Sequence, residues 1–152
     1  MIGMSTDVKP QGCTSSKVRQ LARRLAQHYD AEVMQCGLKT TQYSLLSHVV
    51  GLGPIRPVDL AERMKMTPST LSRNLQPLVA AGWLVLAPGA DARSRLVHAT
   101  EAGIAKRQEA QRHWKAAQRK LNAQLGIERV AALHALIDDS LALLAPGADE
   151  PD

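Results

Sequence analysis

Phenylalanine is absent from this 152-residue chain, and Phe, Trp and Tyr together make up only 3% of it. Holding single-stranded nucleic acid by stacking bases on aromatic side chains is therefore disfavoured. No apolar run reaches the about 18 residues that a membrane-spanning helix needs. The first residues show no charged-then-apolar leader, so a cytoplasmic protein with no membrane partner is the expectation. There is no glycine-rich phosphate loop, no G-x-S-x-G elbow and no paired Cys or His at metal-ligand spacing. The histidines, His28, His48, His98, His113 and His134, are scattered. No enzyme, no cofactor and no metal is expected.

An apolar fraction of 45% is enough for one domain with a core. The net charge of +5 is unevenly spread: residues 1–125 carry +10 and residues 126–152 carry −5. A basic body with an acidic end fits a polyanionic partner that stays clear of the C-terminus.

Residues 66–95, MTPSTLSRNLQPLVAAGWLVLAPGADARSR, organise the rest. Thr67 can cap a helix and Pro68 fits its first position, where a missing N–H costs nothing. Leu71, Leu75 and Leu78 recur at helical spacing and make an apolar face. The opposite face carries Ser69, Arg73 and Gln76, flanked by Thr70 and Ser72. Gly82 ends the helix. Pro77 lies inside it, and a bend or early loosening after residues 74–76 is expected. Trp83 to Ala87 reads as a strand, Pro88-Gly89 as the start of a turn, and Arg95 to Thr100 as a returning strand. Short polar side chains let a helix enter the major groove of a duplex, and an arginine there can donate two hydrogen bonds to guanine. Arg93 and Arg95 on the hairpin suit the minor groove or phosphates, with Asp91 positioning an arginine.

Around this stretch the pattern is helical. Ser15 or Ser16 can start a helix that runs to about Gly37, with Val18, Leu21, Leu25 and Tyr29 on one face. Leu38 to Val50 is a second helix, broken by Gly51-Leu52-Gly53-Pro54. Pro57 opens a short helix, Val58 to Met64, whose N-terminus beside Arg56 suits a phosphate. With the Lys65-Met66 turn it forms a helix-turn-helix. Thr100 to Leu125 is one long helix with Ile104, Trp114, Leu121 and Leu125 among its apolar positions. Gly126 separates it from a last helix, Ile127 to Leu144. There Val130, Leu133, Ile137, Leu141 and Leu144 form a near-heptad seam suited to another helix.

Six segments carry a family resemblance: Gly37-Leu38-Lys39-Thr40-Thr41-Gln42-Tyr43-Ser44-Leu45-Leu46, Pro57-Val58-Asp59-Leu60-Ala61, Thr70-Leu71-Ser72-Arg73-Asn74-Leu75, Gly82-Trp83-Leu84-Val85, Asp91-Ala92-Arg93-Ser94-Arg95 and Thr100-Glu101-Ala102-Gly103. In this order the chain from about Val18 to Leu144 resembles the multiple-antibiotic-resistance regulator (MarR) family of winged-helix repressors. Ala99 stands where the family often has leucine. Ser94, and Leu96 after Arg95, stand where it often has an acid and a further arginine.

The resemblance implies a mostly α fold with a small β-hairpin wing: a winged helix-turn-helix at 38–100 and a helical dimerisation region at 15–37 and 101–145. A flexible N-terminus at 1–14 and a flexible acidic tail at 146–152 flank them. It also implies a homodimeric repressor of transcription on a palindromic operator in double-stranded DNA. The expected DNA-binding residues are Arg56, Ser69, Thr70, Ser72, Arg73, Gln76, Asp91, Arg93 and Arg95. Family members often respond to small aromatic or phenolic anions. Candidates to hold one are Arg23, Tyr29, Tyr43, Ser47, His48 and Trp114, with His113 as an alternative to Trp114. Other members sense oxidants through cysteine. Here Cys13 stands at a helix start with Lys17 one turn on, a setting that activates thiols. Cys36 follows 23 residues later, roughly 34 Å along a helix, too far for a bond within one chain. A redox-sensing regulator using Cys13 is thus one alternative. A winged helix used only as a protein-interaction module is another.

Overall fold

The computed structural model describes residues 8–91 and 94–145. Six helices and one hairpin follow in order: α1 (Thr14–Val33), a 3-10 turn (Met34–Cys36), α2 (Thr40–Leu52), α3 (Pro57–Arg63), α4 (Pro68–Ala80), β1 (Leu84–Pro88), β2 (Arg95–Ala99), α5 (Glu101–Leu125) and α6 (Ile127–Leu143). Among the described residues, no helix is long and apolar enough to cross a membrane.

The helix boundaries follow local chemistry in most places. At α4, Thr67 Oγ1 accepts the Thr70 N–H at 3.3 Å, and Pro68 takes the first turn. Its end is a Schellman closure: Gly82 sits at φ 82°, its N–H donates to Val79 O, and the Trp83 N–H donates to Leu78 O, both at 3.0 Å. The helix does not loosen at Pro77, as the sequence suggested, but stays helical to Ala80. Its buried face, Leu71, Leu75 and Leu78, holds it to the core whatever Pro77 costs. Burying each such leucine contributes roughly 1.5–3 kcal/mol.

Other boundaries are set from a distance. The N-cap of α1 is Cys13, without a side-chain cap bond, rather than Ser15 or Ser16. Regular helix ends at Val33 and tightens into the 3-10 turn before Gly37. The start of α2 is capped from α1: Asp30 Oδ1 accepts the Thr40 N–H at 2.8 Å.

β1 and β2 pair antiparallel, with Leu84 opposite Ala99 and Pro88 opposite Arg95. Ile55 forms a separate antiparallel bridge to β2, exchanging backbone hydrogen bonds with Val97 at 3.1 and 2.9 Å. This ties the loop before α3 to the hairpin. The core lies between the elements so joined: Leu45, Leu46 and Val49 from α2, Leu60 from α3, the α4 leucines, Leu84 and Val97 from the strands, and Ala110 from α5.

Thr100 joins hairpin to long helix. Its hydroxyl donates to Gly82 O at 2.7 Å and accepts the Gly103 N–H at 3.0 Å. Gly103 is obligatory here, because a Cβ would lie 2.0 Å from Trp83 O. The last helix is anchored at one end only. Val130 is buried and Leu133 half-buried, whereas Ile137, Leu141 and Leu144 of the seam are exposed, as are Ile104 and Val18.

Candidate nucleic-acid interface

The polar face of α4 stands clear of the core. Ser69, Ser72, Arg73 and Gln76 are exposed and Thr70 is half-buried. At the helix start the hydroxyls form a small network: Thr67 Oγ1 donates to Thr70 Oγ1 at 2.9 Å and lies 3.3 Å from Ser69 Oγ. Thr67 and Thr70 are thus partly committed to holding the helix start. Arg73 has no hydrogen-bond or ion-pair partner among the described residues, so its guanidinium donors are available to a ligand.

Two clefts flank this face. One, about 170 Å³, is lined by Arg73, Asn74 and Pro77 from α4 and by Lys39, Thr41, Gln42 and Leu45 from the start of α2. Lys39, Thr41 and Gln42 were not among the expected DNA-binding residues; the signal was a cation and two polar residues at a helix start. Gln42 Oε1 accepts the Lys39 N–H at 2.9 Å, which fixes that start. The other cleft, about 400 Å³, brings Ser72 and Gln76 together with Arg95, Pro57 and Leu86. The base of the wing therefore adjoins the α4 face.

Arg95 is exposed at the first position of β2. Asp91 Oδ1 accepts the Ser94 N–H at 2.9 Å and so closes the wing loop on itself. Arg93, expected beside it, lies outside the described residues, as do residues 1–7 and 146–152. Arg56, expected to serve beside the N-terminus of α3, is engaged there with an acid. Its Nε and Nη2 donate to the two carboxylate oxygens of Asp59 at 2.8 and 3.1 Å. Those bonds hold the Arg56 guanidinium more firmly protonated than usual. Asp59 also occupies the first turn of α3, the place where the helix dipole favours an anion.

The residues expected to hold a small aromatic anion do not share one pocket. Tyr29, Trp114 and Tyr43 line up across α1, α5 and α2, with ring centroids 6.2 and 6.4 Å apart in succession. Tyr43 is buried, and Trp114 packs against the core. The Tyr29 hydroxyl donates to Gln118 Oε1 at 2.5 Å, and burial pushes its pKa up, so it stays a neutral donor. Ser47 and His48 lie elsewhere, in an open cleft of about 430 Å³ with Gly51, Leu52 and Arg63. There Arg107 Nε donates to Ser47 Oγ at 3.5 Å, and His48 Nδ1 is 2.7 Å from Ser44 O. Arg23 is exposed on α1 and joins neither group. His113 lies instead beside Cys36 and Glu109.

The two cysteines are free thiols, Cys13 exposed and Cys36 buried. Near Cys36, the buried Glu32 carboxylate pairs with Lys120. That hydrogen bond holds its pKa below the usual value, with smaller contributions from the His113 and His28 charges.

A helix-turn-helix followed by a two-stranded wing, set between long flanking helices, defines a winged-helix protein. The sequence profile described as the MarR family matches residues 37–94. Among solved structures, the M. tuberculosis transcriptional regulator MosR in complex with DNA is 29% identical, with a TM-score of 0.69, covering 89% of this chain and 100% of that one. A mutant of E. coli MarR complexed with operator DNA aligns with a TM-score of 0.76 at 22% identity, over 84% of this chain and 92% of that one. The S. aureus MepR–DNA complex gives 0.76 at 20% identity, over 88% and 100%. Curated protein sequences give no match. Residues 37–94 thus match the MarR family, and the described chain shares the winged-helix fold of these regulators.

Proposed function

We propose that this protein regulates transcription by binding double-stranded DNA sequence-specifically as a homodimer, and that it is a repressor. The observation that carries the reading is the α4 face: Ser69, Ser72, Arg73 and Gln76 exposed, opposite a row of buried leucines, with Arg95 at the edge of the same surface. In this reading α4 enters the major groove, with Arg73 on a base edge and Thr70 near a phosphate. Arg95 and Arg93 follow the minor groove or its phosphates, while Arg56 and Lys39 reach the backbone. Residues 38–100 bind DNA and residues 15–37 with 101–145 dimerise, in the cytoplasm. The related MosR, MarR and MepR structures were solved with DNA, which supports the assignment.

The dimer reading rests on apolar side chains left uncovered on α1 and α6. Val18 is 60% exposed, Leu136 66% and Leu141 65%. A second chain on these helices would place two copies of α4 at half-sites roughly 34 Å apart, on a palindromic operator. Selection of genomic fragments with the purified protein tests the whole proposal. An enriched palindrome bound with a steep salt dependence supports it. Absence of any enriched duplex overturns it and leaves a winged helix that serves protein partners.

Release by a small aromatic or phenolic ligand is the effector reading. It is favoured by the Tyr29–Trp114–Tyr43 alignment where α1, α2 and α5 meet. A panel of aromatic acids, added to the protein–DNA complex, should include one that lowers affinity. The exposed thiol of Cys13 favours a second reading, release by oxidant. Release by peroxide that disappears in Cys13→Ser would establish it in place of the aromatic effector.

A further inference from the structure

We propose that Cys36, Glu109 and His113 form a binding site for a divalent ion of the zinc class. Sγ of Cys36, a carboxylate oxygen of Glu109 and a ring nitrogen of His113 all lie within 4.8 Å of one another. The three come from two elements. Cys36 ends the 3-10 turn after α1, and Glu109 and His113 are one turn apart on the same face of α5. Four-residue spacing on a helix is a common way to aim two ligands at one ion.

The donor set selects the metal. A thiolate, an imidazole and a carboxylate suit Zn²⁺ or Co²⁺, whereas Mg²⁺ and Ca²⁺ take oxygen ligands. Bonds of about 2.0–2.3 Å in a tetrahedron separate ligand atoms by roughly 3.3–3.8 Å. The present spread closes to that with movements of roughly 1 Å, within reach of side-chain rotation. Three protein ligands leave a fourth position for water.

The groups are lightly committed. The Cys36 thiol donates to Val33 O at 3.0 Å, a bond given up when the thiol loses its proton to become a ligand. Glu109 pairs with Lys106 at 3.4 Å and is 43% exposed, so it can turn away from that lysine. His113 makes no hydrogen bond to a described residue. Buried Glu32 stands one turn before Cys36, and its carboxylate feels the charge of His113. An ion here would clamp the end of α1 to the middle of α5. The site rests on this geometry alone and stands whether or not the chain binds DNA.

The test is titration of the untagged, reduced full chain with Co²⁺, read by absorption. One equivalent per chain should produce visible d–d bands and a near-ultraviolet thiolate-to-cobalt band, and Zn²⁺ should abolish both. Cys36→Ser should lose the thiolate band, and Cys13→Ser should keep it. His113→Gln, at a half-buried position, should weaken Co²⁺ binding by more than about 10-fold, the least that loss of even a supporting partner costs. Zn²⁺ should raise the melting temperature of the native chain and not that of His113→Gln. No thiolate band in the folded native chain, or a band that survives Cys36→Ser, would overturn the proposal.

Discussion

Arg73→Ala is the substitution that most directly separates reading of the α4 face from mere charge. Arg73 is exposed and has no ion-pair or hydrogen-bond partner among the described residues, so its removal should leave stability within about 0.5 kcal/mol. A bidentate arginine–guanine contact is worth about 1–3 kcal/mol, roughly 5- to 150-fold in affinity per half-site. In a two-fold complex both copies lose the contact, and the factors multiply where the half-sites act independently. Fluorescence anisotropy on the selected operator, on a scrambled duplex and across a salt series separates the possibilities. Loss confined to the operator, with relaxed preference at one base pair, is expected. Equal loss on both duplexes, with the salt slope reduced by about one, would make Arg73 a phosphate contact. No change on either would refute the assignment of α4 as the reading helix.

Other outcomes follow from the packing. Leu71→Ala, at a fully buried position, should cost about 2–5 kcal/mol by chemical denaturation at fixed protein concentration. A loss below 1 kcal/mol, on the order of a surface change, would mean that α4 is held by something else. Gly103→Ala drives a Cβ to 2.0 Å from Trp83 O and should cost about 1–3 kcal/mol by forcing α5 off the hairpin; a neutral result would deny that close approach. Glu32 has a folded-state pKa below its ordinary 4.5. Its contribution to stability is therefore fully present above about that value and is lost as pH falls through the lower folded-state value. Melting temperatures of the native chain and Glu32→Gln should differ at neutral pH and converge in acid; a constant gap would show that the Lys120 pairing does not set the effect.

Much of the fold was legible because it is written in short-range chemistry. Thr67-Pro68 and Thr100 start helices by occupying their own unpaired N–H groups. Gly82 and Gly126 end helices because they adopt positive φ. The α4 leucines declare the buried face by spacing alone, and the exposed face of Ser69, Ser72, Arg73 and Gln76 follows by subtraction. The early loosening expected at Pro77 did not occur, because a local penalty was outweighed by burial of the leucines around it.

What the sequence could not show depends on residues far apart along the chain. The bridge between Ile55 and Val97 and the cap that Asp30 places on α2 arise from packing, not from any local motif. The Arg56–Asp59 pair is the local exception, three residues apart at a helix start. The six candidates for an aromatic ligand divide into an aromatic row, an open cleft and one solitary arginine, because periodicity gives a face and not a neighbour. Cys36, Glu109 and His113 form the clearest case. The Glu109 and His113 spacing was visible, but more than 70 residues separate Cys36 from Glu109, and only the packing of α1 against α5 closes that gap. Local propensity determined the elements and the polarity of their faces. Tertiary packing decided which side chains meet, because a side chain's partners across helices are fixed by helix position and rotation rather than by its place in the chain.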